Sequence, residues 1–151
     1  MSFIPSNATS PEDQTVSNDG FYPALGVAEM RAQTGLGTVF GVERVAAVLR
    51  ATMIEVNDSL IDWRANCSGP SLADIPADTY GGVSAKVTLY KTAVYTRARA
   101  TLIETTRDYD STKSGHDRAD TLEETADSWL QQSIEALSRL MDRPRTVVDL
   151  I

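Results

Sequence analysis

Two carboxylates four residues apart, Asp74 and Asp78, are the first candidates for chemistry in this chain. They lie in the segment LADIPAD, which Pro76 divides. Two acids this close could act as a general acid and a general base. Aspartate is also favoured in turns, where its carboxylate accepts local backbone hydrogen bonds. We therefore expect a cap or turn role for both residues, and keep as an alternative a small enzyme that acts through this pair.

Residues that could bind metal are few and poorly spaced. The segment DYDST, residues 108–112, resembles a calcium loop superficially, but the further oxygen ligands, the glycine at the bend and the terminal glutamate are not in register. We expect a tight turn there, with Asp117 or Asp120 capping the next helix. The single cysteine, Cys67, cannot form an internal disulfide, and the single histidine, His116, cannot form a His-rich metal cluster. The sequence predicts no metal site.

Motifs of the common enzyme classes are missing from the sequence. It contains no glycine-rich phosphate loop, nucleophile elbow, HExxH or CxxC. We predict a protein that is not an enzyme, with no catalytic residues and no cofactor. The net charge of −7 also argues against tight binding to a nucleic-acid backbone, since that affinity comes from Lys and Arg.

The length of 151 residues suits about one domain. No apolar run approaches the ~20 residues of a membrane span, and the N-terminus does not look like a secretory leader. We therefore expect a protein that is made and kept in the cytoplasm.

The longest helical pattern runs from Val83 to Asp108 and predicts the central helix of the domain. Two adjacent apolar stripes follow a 3.6-residue period: Val83, Val87, Tyr90, Val94, Ala98 and Leu102 in the first, and Leu89, Ala93, Ala100 and Ile103 in the second. A helix that is apolar over so much of its circumference must be covered on two sides, by neighbouring helices or subunits.

Three further helices are predicted around it, giving an all-α, bundle-like domain of about four helices. A short helix starts with Phe21-Tyr22-Pro23 in its first turn and ends near Gly35. An amphipathic helix covers about 40–66, and the last helix runs from about Arg118 to Asp142. The apolar side of the last helix is predicted to contain Leu122, Ala126, Trp129, Leu130, Ile134, Leu137, Leu140 and Met141.

The two ends of the chain are predicted to lie outside the helical domain, which we place at residues 21–142. Residues 1–20 contain too few large apolar side chains to order themselves and suggest a flexible arm. Residues 143–151 start basic and end apolar, and Thr146-Val147-Val148 favours an extended tail. This tail could add to the sheet of a partner or fold back onto the core of its own chain.

Several segments occur together in an order that resembles the head-completion (head-stabilisation) proteins of contractile-tailed bacteriophages, the GPL type. They are MIEVNDSLIDWR at 53–64, LADIPAD at 72–78, a helix with Lys86, Tyr90 and Ala93, RDYDSTKSG at 107–115, and RPRTVVDLI at 143–151. The resemblance extends from near Phe21 to Ile151.

This resemblance implies a structural connector, an adaptor that forms a ring on the portal vertex of the DNA-filled phage head. The ring would stabilise packaged DNA and offer the attachment surface for the neck and tail. The implied partners are the portal protein, neck and tail-terminator proteins, and further copies of the chain in a ring that matches the twelve-fold symmetry of the portal.

DNA would only pass through the lumen, past acidic side chains that repel it, and no membrane is involved. The expected location is the neck of the virion, and the host cytoplasm during assembly. The residues expected to anchor the chain to the portal are Arg143, Arg145, Val147, Val148, Leu150 and Ile151. An alternative is a helical protein–protein interaction module of a bacterial regulatory system.

Overall fold

A computed structural model describes residues 14–107 and 113–143 of the chain, and the side chains of 14–106 and 126–143. Its helices are α1 (Val27–Thr34), α2 (Val42–Ser59), α3 (Ile61–Ala65), α4 (Ala85–Arg107) and α5 (Lys113–Leu140), and a 3₁₀ turn lies at Leu72–Asp74. Its strands are β1 (Thr15–Val16), β2 (Leu25–Gly26), β3 (Thr79–Tyr80) and β4 (Val83–Ser84). The fold is thus predominantly helical.

The two small antiparallel sheets correct the prediction of an all-α fold. β1 pairs with β2 through Val16 and Leu25, and β3 pairs with β4 through Tyr80 and Val83. Each strand has only two residues, which is too short to produce a period-2 pattern in the sequence. Gly81 and Gly82 form the β3–β4 turn with φ angles of 59° and 77°, which glycine adopts without steric cost.

The predicted central helix is α4, which packs against α5 along its length and against α2 on another side. Tyr90, Val94, Ala98 and Leu102 are fully buried, so the expectation that this helix needs cover on more than one side is confirmed. Val83 is an exception, because it belongs to β4 and stays 44% exposed.

The helix predicted over residues 40–66 is divided at Leu60 into α2 and α3. Leu60 is buried, and its N–H is shared between the carbonyls of Val56 and Asn57. The Ser59 hydroxyl also donates to Val56 O at 2.7 Å. A hydroxyl such as that of Ser59 competes with helical hydrogen bonding, which is consistent with a break at this point.

Residues 14–20 pack against the domain, in contrast to the expected flexible arm. Val16 is buried, and Asn18 donates to Tyr90 Oη at 2.9 Å and accepts from Asn57 Nδ2 at 3.0 Å. One strand residue and one polar side chain therefore order a segment that has few large apolar residues. The prediction of an arm at residues 1–13 lies outside the described residues.

Phe21, Tyr22 and Pro23 do not start a helix as predicted. They form a turn before β2, in which the Asp19 carboxylate accepts hydrogen bonds from the backbone N–H groups of Phe21 and Tyr22 at 3.0 and 3.1 Å. Tyr22 then stacks on Tyr90, with 4.6 Å between the ring centroids.

The short helix α1 ends as predicted. Thr34 is its last residue, and Gly35 follows with a φ of 67°. This left-handed conformation is the usual glycine terminator of a helix.

The buried side of α5 differs from the predicted side by a small rotation. Ala126, Leu137 and Leu140 are buried as expected, but Leu130 and Ile134 are 37% and 45% exposed. Ser133 is fully buried in their place, because its hydroxyl donates to Ala93 O of α4 at 2.7 Å. This hydrogen bond to another helix cannot be read from the periodicity of α5.

Candidate interaction surfaces

Asp74 ends the 3₁₀ turn at Leu72–Asp74 and Asp78 directly precedes β3, so both acids lie in the predicted connection, but the hydrogen bonds seen there are not the carboxylate-to-backbone bonds expected of a cap. Asp74 Oδ2 accepts a hydrogen bond from the Ser71 hydroxyl at 2.6 Å, and the Asp78 carbonyl accepts one from Ala85 N–H at 2.8 Å. Both aspartates are exposed. No group of three or more His, Cys, Asp or Glu side chains among the described residues is arranged to hold a metal ion, and residues 108–112 lie outside that part.

The end of α5 is fixed in a closed C-terminal motif, which we call the tail exit. Asp142 N–H donates to Arg139 O, and Arg143 N–H donates to Ser138 O. These two bonds, with Asp142 at a φ of 55°, form a Schellman motif that satisfies the last carbonyls of the helix. Arg143 is thereby held at a defined position at the end of the bundle.

Lys86, at the start of α4, completes the tail exit from the opposite helix. Its side chain is only 8% exposed, and Nζ donates to Leu140 O at 2.5 Å and to Asp142 Oδ2 at 2.7 Å. The ammonium also lies 5.8 Å from the Trp63 ring centroid. A cation at the C-terminus of a helix interacts favourably with the helix dipole. The first turn of α4 therefore ties down the last turn of α5.

The structure places one of the six predicted anchoring residues, Arg143, at the tail exit. The other five predicted residues, which are Arg145, Val147, Val148, Leu150 and Ile151, lie outside the described residues. Sequence reasoning did not assign a role to Lys86. The sequence feature that could have identified Lys86 is a lysine beside the apolar positions of the central helix. A cation at such a position needs a buried partner.

A groove opens where the β3–β4 hairpin meets α4 and α5, and we call it the hairpin groove. Its volume is about 410 Å³. Tyr80, whose side chain is 71% exposed, forms one wall. The other lining residues include Thr88, Leu89 and Thr92 of α4 and Gln132, Glu135, Ala136 and Arg139 of α5. The lining thus combines apolar and hydroxyl-bearing side chains with the charged Glu135 and Arg139.

A second exposed surface runs along α2 and α3, and we call it the outer stripe. It consists of Ala47, Ala51, Ile54, Asp58 and Ile61, which are all exposed. Their spacing of four, three, four and three residues places them on one side of a helix. Helical hydrogen bonding continues across the break, because Leu60 N–H donates to Val56 O and Arg64 N–H to Leu60 O. Ile54 and Ile61 are 60% and 63% exposed, which leaves an apolar helix face uncovered.

Buried tyrosines on α4 have structural rather than chemical roles. Burial raises the pKa of Tyr90 and of Tyr95 well above the usual value for tyrosine. Tyr90 Oη donates to Asn57 Oδ1 at 2.6 Å, and Tyr95 Oη donates to Glu29 Oε1 at 3.1 Å. Both hydroxyls therefore remain protonated and join α4 to α2 and α1.

No helix in the described part of the chain is long and apolar enough to cross a membrane.

Comparisons with known proteins agree on one family. The family model described as phage head completion protein (GPL) matches residues 16–151. The head completion/stabilization protein of Escherichia phage P2 is 29% identical over 143 residues, which cover 93% of this chain and 85% of that protein. No solved structure matches this chain significantly.

Proposed function

The chain belongs to the phage head completion protein (GPL) family, and from this premise we propose that it is a head-to-tail adaptor that forms a ring on the portal vertex. Membership gives it a structural role in the phage head and a location in the virion. We propose in addition that the chain binds at the portal vertex, that its copies form a ring there, that the ring stabilises packaged DNA, and that it offers the surface to which neck and tail proteins attach. The name of the phage P2 relative, a head completion/stabilization protein, supports the stabilising part.

The observation that carries the proposal is the tail exit. Residues 144–151 follow directly on Arg143, whose backbone is bonded to Ser138 O in a motif tied to α4 through Lys86. A short segment that contains two valines, a leucine and an isoleucine thus starts from a rigid base. A peptide with a fixed origin loses less entropy when it binds, so this geometry favours an anchoring role.

We propose that Arg143, Arg145, Val147, Val148, Leu150 and Ile151 anchor the chain to the portal. The arginines would pair with acidic side chains of the portal, and the apolar residues would be buried against it or added to one of its sheets. Copies matching the portal symmetry would then surround the DNA channel. The net charge of −7 supports a lumen that repels phosphates, so that DNA passes without adhering.

Co-sedimentation with purified portal rings of the same phage tests the adaptor function. We expect the full chain to sediment with the rings and the mass of the complex to correspond to one copy per portal subunit. A chain that stays free, or that forms only a dimer without affinity for portals, would contradict the proposal.

Truncation after Arg143 tests the anchoring role separately. The shortened chain keeps the Arg143 N–H that bonds to Ser138 O, so circular dichroism should show the same helical content. We expect it to lose sedimentation with the portal rings. Undiminished binding of the folded, shortened chain would show that the anchor lies elsewhere.

A further inference from the structure

The outer stripe and the hairpin groove lie on different sides of the bundle. Tyr90 and Arg97 of α4 bond to α2 through Asn57 and Glu55. Thr88 and Thr92, which line the groove, fall on a nearly opposite face of α4 when 3.6 residues make one turn. The outer stripe is on α2 and α3 and contains none of the buried residues by which α2 joins the core. The two surfaces therefore cannot cover each other within one chain.

The two surfaces are also chemically complementary. Ile54 and Ile61 are apolar and exposed on the stripe, and Tyr80 and Leu89 offer apolar area in the groove. Asp58 lies between the two isoleucines in the spacing of the stripe, and Arg139 is an exposed residue that lines the groove. Neither charge has an ion pair with another described residue. An interface with an apolar centre and one charge pair at its edge has the usual anatomy of a protein–protein contact.

We propose that the outer stripe of one copy of this chain docks in the hairpin groove of the next copy, with Asp58 facing Arg139. Pairing between two different surfaces is heterologous, so every copy uses both surfaces and the contacts can close into a ring. This inference rests on the proposed ring and names its subunit contact.

Cysteine cross-linking on portal rings tests the contact directly. In a Cys67→Ser background, a chain carrying both Asp58→Cys and Arg139→Cys should form covalent ladders of subunits when it is bound to portals and treated with a short bifunctional maleimide. The matched control combines Asp58→Cys with Glu104→Cys, because Glu104 is exposed on α4 away from the groove lining. The control should give no ladder.

Charge reversal tests the same pair without cross-linking. Asp58→Arg or Arg139→Asp alone should weaken subunit association by about tenfold or more, and the double variant should recover most of the loss, because a like-charge contact is replaced by a reversed pair. Recovery in the double variant requires contact between the two positions and would not follow from unfolding.

A third test concerns the apolar part of the outer stripe. Ile54→Asp should reduce the number of copies bound per portal ring, whereas Val39→Asp should not, although Val39 is more exposed at 87%. If multiple copies bind to portals but Asp58 and Arg139 neither cross-link nor rescue each other, this contact is wrong and the adaptor function stands. If no copies bind to portals, the proposed function fails and this inference fails with it.

Discussion

Lys86 is the residue with the most concentrated set of buried polar contacts in the tail exit. It satisfies the carbonyl of Leu140 and pairs with Asp142, while Trp63 lies beside its ammonium. Asp142 holds a left-handed conformation that is uncommon for a residue other than glycine. The ion pair with Lys86 therefore stabilises both the charge and an unusual backbone.

Lys86→Met should reduce the free energy of unfolding by about 1–3 kcal/mol, since it leaves a helix-terminal carbonyl and a carboxylate without their donor. Urea unfolding at neutral pH measures this loss. Lys91→Met is the matched control: Lys91 pairs with Glu29 at 2.9 Å, and both side chains are partly exposed at 26% and 40%. Lys91→Met should reduce the free energy of unfolding by less than about 1 kcal/mol. Equal reductions in the two variants would contradict the special position of Lys86.

Asp19 gives a pH-dependent prediction. Burial opposes ionisation of its carboxyl, but the N–H groups of Tyr22 and Phe21 and the Arg64 guanidinium together lower its pKa below the usual value of 3.8. A lowered pKa in the folded state contributes stability above the unfolded pKa, and this contribution disappears as the pH falls through the folded pKa.

Asp19→Asn keeps an acceptor oxygen for the two N–H groups but loses the charge that pairs with Arg64, so it should reduce stability by about 0.2–1 kcal/mol near neutral pH. The difference between the two proteins should shrink as the pH falls below 3.8. Urea unfolding curves at several pH values measure it. A difference that stays constant over this range would exclude the carboxylate as its source.

Among the elements, α5 separates what can and cannot be predicted from this sequence. Its existence and approximate end follow from periodicity, as do the burial of α4 and the glycine stop after α1. The direction of the buried side of α5 does not follow from periodicity. The buried Ser133 is polar, and its hydroxyl is accommodated by a hydrogen bond to the carbonyl of Ala93 on α4. The two-residue strands could not be predicted, because two residues produce no recognisable pattern. The role of Lys86 could not be predicted either, because its hydrogen-bond partners are more than fifty positions away in the sequence.

The direction of the buried side of α5 can be checked with two similar side-chain substitutions by alanine. Leu137→Ala removes a side chain that is 6% exposed and should cost about 2–5 kcal/mol. Ile134→Ala removes one that is 45% exposed and should cost less than about 1 kcal/mol. Chemical denaturation of the two variants gives the comparison, and similar costs would indicate that Ile134 is buried in the same way as Leu137.

At the scale of the whole molecule, the described part of the chain places the outer stripe and the hairpin groove on different sides of the bundle, and the tail exit adjoins the groove at Arg139, whose backbone carbonyl belongs to the tail exit. Contacts to neighbouring copies and contacts to the portal would then use separate residues. A chain with Ile54→Asp should keep its affinity for the portal through the tail and lose neighbour contacts, while truncation after Arg143 should reverse this pattern. Native mass spectrometry would distinguish the two losses, because Ile54→Asp should give portal rings with fewer copies bound, whereas the truncated chain should be absent from portal rings and associate only with itself.

The tail exit also has a mechanical consequence. A pull on the backbone at residue 144 reaches Arg143 directly, and among the described residues the next noncovalent contacts in its path are the Arg143–Ser138 backbone bond and the Lys86–Asp142 pair. These contacts join the last turn of α5 to the first turn of α4, so tension enters the two helices that form most of the bundle together. Lys86 and Asp142 are therefore the point at which load on the tail is shared between α5 and α4.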